Sequence, residues 1–469
     1  MTYQQTLAYL DSLINYEKKS NFDYKKSFKL ERMKSFSHRF EDPHKGIKTI
    51  HISGTKGKGS VSSFINSILM EAGYKVGLYT SPHLFSFRER IRINGEPIGE
   101  DDVARLIDKM KPYVDMMDEN GDRPTYFEVC TMMAFLYFKD ENVDFMVLEV
   151  GMGGRLDSTN VVDSLVSVIT PISYDHTKFL GSTLGDIAFE KCGIIKDNSV
   201  VISSPQESEA MDVIRRISRE RNSKLYVVGK DLFFEALDTN LEWQSFRLLS
   251  RYREYPHLRI KLLGDFQFEN ATAAVAAVEE LGYRGIFISS DAIKDGLEKA
   301  RWPGRLEIVN KKPFIVVDGA QDVNSTSRLK KAVKALLRYK RLFLIFGAMQ
   351  DKDIDGMCRI LSDMADCVVT TKSKSERAAS PSVIREKMLK CNKALDVIVT
   401  DSPALAIRKC KEKACEEDLI LVTGSLYVVA DAMEALKGDR LLFKEREILL
   451  KSSLSPFSCC PLFPVNEKF

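Results

Sequence analysis

The stretch "HISGTKGKGS", His51 to Ser60, sets Gly54, Thr55, Lys56, Gly57, Lys58, Gly59 and Ser60 in one run. Glycines on a turn let backbone N–H groups approach an anion with no side chain in the way. If a helix starts there, its N-terminus adds partial positive charge. Lys58 can then reach outer phosphates and Ser60 can ligate magnesium. The strict phosphate-loop motif puts Ser or Thr directly after the lysine, whereas here Gly59 intervenes. Phosphate binding is the reading this run supports; a glycine-rich turn without a ligand is the alternative.

Other residues with matching chemistry follow apolar runs. Glu149 closes "DFMVLEVG", Ser81 follows "GLYTS", and His176 lies in "SYDHTKFLG" after a further run. A carboxylate at the carboxyl end of a parallel strand faces the crevice where ligands bind. Together with a phosphate loop these groups suit a magnesium–nucleotide site, since magnesium takes few protein ligands plus water and phosphate oxygens. Lys191, in "AFEKCGIIK", reads from spacing alone as a helix-surface charge.

The elements that must hold these residues alternate. "IKTIHISG", "YKVGLYTS", "VDFMVLEVG", "SLVSVITPIS" and "NSVVISSP" are short, apolar and β-branched, and amphipathic segments such as "DDVARLIDKMKPYVDMMDE" lie between several of them. This order predicts an α/β fold: a P-loop-type, mostly parallel sheet flanked by helices. After the loop, Val61, Phe64, Ile65, Ile68, Leu69 and Ala72 share one helical face and Gly73 marks its end. Residues 231–262 alternate with period two, clearest at Leu258, Ile260 and Leu262, which predicts a small antiparallel appendage. "PFIVVDGA", "RLFLIFGA", "DCVVTTKS", "ALDVIVTDS" and "DLILVTGS" predict a smaller, Rossmann-like α/β domain. Its boundary falls near Trp302–Gly304, giving domains over 1–300 and 301–452 and a Ser/Pro/Cys-rich tail over 453–469.

The chain has 469 residues, 44% of them apolar, enough for two or three cores. Its net charge of +3, from 69 basic and 66 acidic residues, argues against a dedicated nucleic-acid surface. No segment offers the roughly 18 uncharged apolar residues of a membrane helix, and the N-terminus does not read as a signal peptide. The nine cysteines show no CxxC spacing, and Cys459–Cys460 reads as incidental. A cytoplasmic protein is expected.

The ordered set "KLERMKSF", "HISGTKGKGS", "GLYTSPHLFSFRERIRINGEPI", "TYFEVCTMMAFLYF", "LEVGMGGRLDSTN", "DHTKFLGSTLGDIAFEKCGIIK", "GDFQFENATAAVAA", "RWPGRLE", "VVDGA", "IFGAMQDKD" and "VTGSLYVV" resembles the folylpolyglutamate synthase and dihydrofolate synthase family, within the Mur ligases. The resemblance implies that the loop at Gly57–Ser60 holds ATP phosphates and that Ser60, Ser81, Glu149 and His176 match positions linked to magnesium. It implies that Lys191 is carbamylated, against its reading as a surface charge. By the same resemblance Asn270, Arg305 and Asp318 match nucleotide-binding positions. Leu30, Glu31 and Arg32, Tyr126, Phe127 and Glu128, and Leu156, Asp157 and Ser158 match places that contact the pterin substrate.

The implied reaction activates a folate or pteroate carboxylate with ATP, as an acyl phosphate, and then joins it to L-glutamate, with or without dihydrofolate synthase activity. A monomer is implied. Two departures stand out. "DGAQDVNS" carries Gln321 where the family has His, and glutamine cannot accept a proton as imidazole can; Phe266 stands where many relatives have His. Gln321 therefore leaves open a ligase of the same class that joins another acid or amine. A non-catalytic nucleotide- or folate-binding protein is a third reading. "TSPHL" and "FRERI" argue against a peptidoglycan ligase.

Overall fold

The computed structural model describes residues 1–19 and 22–437. The expected tail over 453–469, the Cys459–Cys460 pair and residues 438–452 of the second expected domain lie outside the described residues.

β1 (Lys48–Ser53), β2 (Val76–Tyr79), β3 (Ile91–Ile93), β4 (Glu96–Pro97), β5 (Phe145–Glu149), β6 (Val166–Ile169), β7 (Val200–Ser203) and β8 (Lys224–Val227) form one sheet in the order β4-β3-β2-β5-β1-β6-β7-β8. From β2 through β8 the pairs are parallel. All five apolar runs of the first series lie in this parallel part. Strands reach outward from β1 on both sides, so the carboxyl end of β1 is a topological switch point where a crevice opens. β3 and β4 add an antiparallel edge not expected from the apolar runs. They are joined by Asn94 and Gly95, both with positive φ (48° and 84°), the conformation of a two-residue hairpin turn.

The helix Lys58–Glu71 follows β1 and is buried on more than its apolar face: Ser60, Ser62, Ser63 and Asn66 are buried as well. The cause is a second layer. Helices Phe266–Glu279 and Ser290–Lys299 pack over it, and their Ala273, Val275, Ile293 and Leu297 share a core with Phe64 and Ile68. On the opposite face Leu106, Ile107, Met132 and Phe135 of helices Glu100–Glu119 and Tyr126–Asp140 enclose a second core.

β9 (Phe233–Thr239), β10 (Gln244–Leu249) and β11 (Glu254–Ile260) make the expected antiparallel appendage. β12 (Glu307–Lys311), β13 (Phe314–Val317), β14 (Leu342–Phe346), β15 (Cys367–Thr370), β16 (Asp396–Val399) and β17 (Leu419–Thr423) build a separate sheet in the order β12-β13-β17-β14-β15-β16. It is parallel except for its edge strand β12. The carboxyl ends of β13 and β14 lead into segments that meet the loops of the large sheet across a cleft of about 1000 Å³.

Candidate active site

β1 delivers the chain to Gly54, and the next helix starts at Lys58 behind Gly57, whose φ of 88° a side chain rarely adopts. A Cβ on Gly57 would collide with the Asn270 carboxamide. A Cβ on Gly59 would lie 2.5 Å from the indole nitrogen of Trp302. The glycine that breaks the phosphate-loop spelling is therefore a packing requirement: Trp302, in the link between the two sheets, rests on the first helical turn. Thr55 and Lys56 donate their N–H groups to Pro171 O at 3.0 and 3.2 Å, tying the loop to the chain leaving β6. The following N–H groups head the helix, where none has an intrahelical partner. They form an anion-binding terminus.

Two ammonium groups converge on this loop. Lys58 Nζ donates to Gly54 O at 3.3 Å, and Lys191 Nζ donates to the same carbonyl at 2.8 Å. Lys191 comes from the helix Leu184–Cys192 and is only 5% exposed, which corrects its reading as a surface charge. Burial, with Lys58 as a like charge nearby, pulls Lys191 down to about 7. Burial also lowers Lys58, against the Glu149 carboxylate 3.9 Å away. Glu149 is buried at the end of β5, so its pKa is raised despite Lys58 and the N–H of Ser81, which donates at 3.3 Å. His176 sits after β6 in a left-handed conformation (φ 53°). Partial burial pushes its imidazole down to about 4, with Asp175 opposing, so it is neutral at pH 7. Ser60 accepts from Gln267 Nε2 at 3.3 Å, and Gln267 accepts from Asn270 at 2.9 Å. On the other side Asp318 accepts from the Leu306 and Ala320 N–H groups, both at 2.8 Å. Arg305 is half-buried, and desolvation lowers its pKa against the Asp318 and Glu149 carboxylates, which favour its charge.

Residues 52–278 match the Mur ligase middle domain, and residues 304–426 match the Mur ligase glutamate ligase domain. The chain is 37% identical to the dihydrofolate synthase/folylpolyglutamate synthase of Bacillus subtilis, over 87% of this chain and 95% of that protein. The chain belongs to the folylpolyglutamate synthase/dihydrofolate synthase family. Its fold matches Escherichia coli FolC in complex with DHPP and ADP with a TM-score of 0.83 and 30% identity, covering 94% of this chain and 99% of that one. The Mycobacterium tuberculosis folylpolyglutamate synthase complexed with ADP and AMPPCP matches with a TM-score of 0.83 and 28% identity, over 92% and 98%.

In this member of the folylpolyglutamate synthase family the expected residues divide. Gly54, Thr55, Lys58, Ser81, His176 and Lys191 line the cleft, as do Arg32, Phe127, Glu128, Leu156 and Ser158. Gly57, Gly59, Ser60, Glu149, Asn270, Arg305 and Asp318 do not line it; most adjoin the loop through the contacts above. Leu30, Glu31, Tyr126 and Asp157 are not among the lining residues either. Glu31 is exposed and pairs with Lys34 at 2.9 Å. Tyr126 is buried, with the Arg90 guanidinium 5.4 Å from its ring. Asp157 is fully buried and accepts from the N–H groups of Gly151, Met152 and Thr159, so it shapes the loop that presents Leu156 and Ser158. Arg32 and Glu128 bind each other at 2.9 Å, which joins the "LER" and "YFE" segments.

Several cleft residues were not anticipated. Asp175, beside His176, pairs with Lys352 at 2.7 Å and Lys56 at 3.7 Å. Although burial opposes it, His176 and these lysines hold its carboxyl well below the usual carboxylate range. Lys56 also pairs with Asp322. Arg377 donates to Glu17 O and pairs with Asp351, both at 2.7 Å, and Arg90 grips the Glu17 carboxylate at 2.7 and 2.8 Å. "SYDH" and "AMQDKD" did carry a signal, charged groups just after apolar strands; "NYEKK" carried none. Gln321 lines the cleft as a neutral group.

Proposed function

We propose that this protein is an ATP-dependent ligase that adds L-glutamate to the carboxylate of tetrahydrofolate, building polyglutamates, and that it also extends to dihydropteroate. The observation that carries the reading is the meeting of Lys58 and Lys191 at the Gly54 carbonyl, on a helix N-terminus that opens into the cleft. A folate carboxylate oxygen attacks the γ-phosphorus of ATP, the bond to the β-phosphate oxygen breaks, and ADP leaves. The glutamate nitrogen then attacks the acyl carbon, the bond to phosphate breaks, and a proton passes from nitrogen to solvent. Such chemistry needs positioning and charge neutralisation more than an enzyme nucleophile. Lys58 and the N–H groups of Gly57–Ser60 supply both on the triphosphate. Contacts from the second sheet, Lys352 to Asp175 and Asp322 to Lys56, hold the cleft together and limit access of water to an acyl phosphate.

Ser60, Ser81, Glu149 and His176 would hold magnesium. The donors fit: the buried Ser60 and Glu149 oxygens, the half-buried Ser81 hydroxyl and a neutral imidazole beside the phosphate loop. Among the described residues no group of three or more His, Cys, Asp or Glu is placed to hold a metal ion, so phosphate oxygens and water would complete the shell. Magnesium, when bound, neutralises charge on the phosphoryl oxygens. Lys191, at about 7, is about half free amine at neutral pH and can add to CO2, losing a proton to solvent. The resulting carbamate would support the metal. We read the protein as a cytoplasmic monomer without a nucleic-acid partner, in keeping with its near-neutral charge and the lack of a membrane-length apolar helix among the described residues.

The test is a coupled assay of ADP release with tetrahydrofolate or dihydropteroate, L-glutamate and magnesium, with mass spectrometry of the products. ADP release requiring all three components and giving a glutamylated folate is expected. ATP turnover without that product would overturn the substrate assignment. Gln321 at the cleft motivates one second reading, another amine acceptor. A screen over amino acids in which glutamate alone is used would reject it.

A further inference from the structure

The cleft carries more positive than negative charge once its internal pairs are counted. Glu17 is held by Arg90 and Glu128 by Arg32. Asp175 is held by Lys352, Asp322 by Lys56 and Asp351 by Arg377. Asp353 caps the helix Ile354–Leu361 through the Gly356 N–H. Every lining carboxylate is thereby engaged. Lys178, Arg328 and Lys331 line the same cleft and make no ion pair among the described residues, although the Glu269 carboxylate lies near enough to Arg328 to be favoured by its charge.

Arg328 and Lys331 belong to the helix Val323–Leu336, which follows β13. Asn324, Ser327, Arg328 and Lys331 all line the cleft. Spacings of three, four and seven residues put them on one face of a helix, and that face runs for about 10 Å. It is a polar and cationic track with hydrogen-bonding groups at one end and two cations free of ion pairs at the other. The loop glycines and Lys58 supply the phosphate site on the opposite wall, so this track is not needed to explain the triphosphate.

We propose that this face binds the anionic tail of a substrate already carrying several γ-linked glutamates, with Arg328 and Lys331 pairing with its free α-carboxylates. The proposal rests on the ligase reading above and deepens it. An extended chain with one carboxylate per unit matches a helix face with spaced cations better than it matches a compact anion. Each charge pair adds directional, charge-assisted hydrogen bonds.

Two measurements on the full-length protein test it. The first is the ratio of KM for the monoglutamate to KM for the triglutamate of tetrahydrofolate, in the parent and in Arg328→Gln, Lys331→Gln and the double variant. Taking the ratio cancels effects common to both substrates. The double variant should lower it about tenfold, while Arg328→Lys should largely keep it. An unchanged ratio overturns the proposal. So does a rise in KM for ATP that is equal for both tail lengths, which would give these cations to the nucleotide. The second is direct binding of a fluorescent γ-linked pentaglutamate, which does not depend on turnover. Binding that weakens about tenfold in the double variant supports the tail site even if no folate is glutamylated, an outcome that would sink the ligase reading alone. No binding to the parent overturns the tail site itself.

Discussion

On the wall built by the large sheet, buried Lys191 and half-buried Lys58 share one carbonyl and stand beside a buried carboxylate. On the wall built by the smaller sheet, Arg328 and Lys331 face the cleft without ion pairs, and Arg377 and Lys352 reach across it to Glu17 and Asp175. The first wall is preorganised: its charges are desolvated and held by backbone groups before any ligand arrives. The second meets the first through polar contacts and through Leu84, Leu241 and Leu263, which pack against the cores of the smaller sheet; across an interface between domains of one chain relative motion is the default. Chemistry that depends on fixed electrostatics belongs on the first wall, and recognition of a variable-length acid belongs on the second.

If that division is right, the largest effect comes from the first wall. Lys58→Ala should lower kcat/KM for ligation by about 100- to 1000-fold, the scale of losing a preorganised charge-stabilising group. Steady-state ADP release measures it, and a loss under tenfold would remove Lys58 from the reaction. Next is the pH profile. Lys191 must be neutral to take up CO2, and its pKa is lowered to about 7. Activity should therefore rise with pH through about 7 and fall about tenfold per unit below it. Added bicarbonate should raise the rate on the acidic side. A flat profile between pH 6 and 8 would argue that Lys191 works as the ammonium seen donating to Gly54 O.

How far the sequence disclosed this division depends on the kind of signal. The phosphate loop was readable because glycines, a lysine and a following apolar helix are all local. The parallel strands were readable for the same reason, and the Asn94–Gly95 dipeptide is itself a local signal for the β3–β4 hairpin, beside a run of apolar residues too short to mark a strand. Burial of Lys191 was not readable from periodicity, because it is produced by the loop from β1 folding over the helix Leu184–Cys192. Asp157 was expected at the substrate from a motif, yet it sits inside the loop, since three main-chain N–H groups converge on it. The Arg377 contact with Glu17 joins residues 360 apart in sequence, and no local pattern encodes it.

Gly59 offers a sharper test, because it belongs to the first wall and yet touches the link to the second. Gly59→Ala places a methyl group against the Trp302 indole, which must move or strain the helix start. Overpacking of this kind costs about 1–3 kcal/mol. Weaker ATP binding by isothermal calorimetry and a lower unfolding midpoint are expected. Trp302→Ala in the same chain should restore most of the nucleotide affinity. Failure of that rescue would mean that the added methyl blocks the phosphate directly.

The smallest effect should come from the second wall. Arg377 pairs with Asp351 at 2.7 Å, with the two side chains 18% and 22% exposed, and donates to a main-chain carbonyl across the cleft. A partly solvated pair of this kind contributes about 0.5–1 kcal/mol. Arg377→Ala should lower the unfolding free energy from urea titration by no more than that, and the difference from the parent should shrink in 1 M KCl, where the Debye length is about 3 Å. A loss of several kcal/mol, insensitive to salt, would mean that this contact locks the walls as firmly as the buried groups lock the loop, and the contrast between a rigid wall and a loosely docked one would fail.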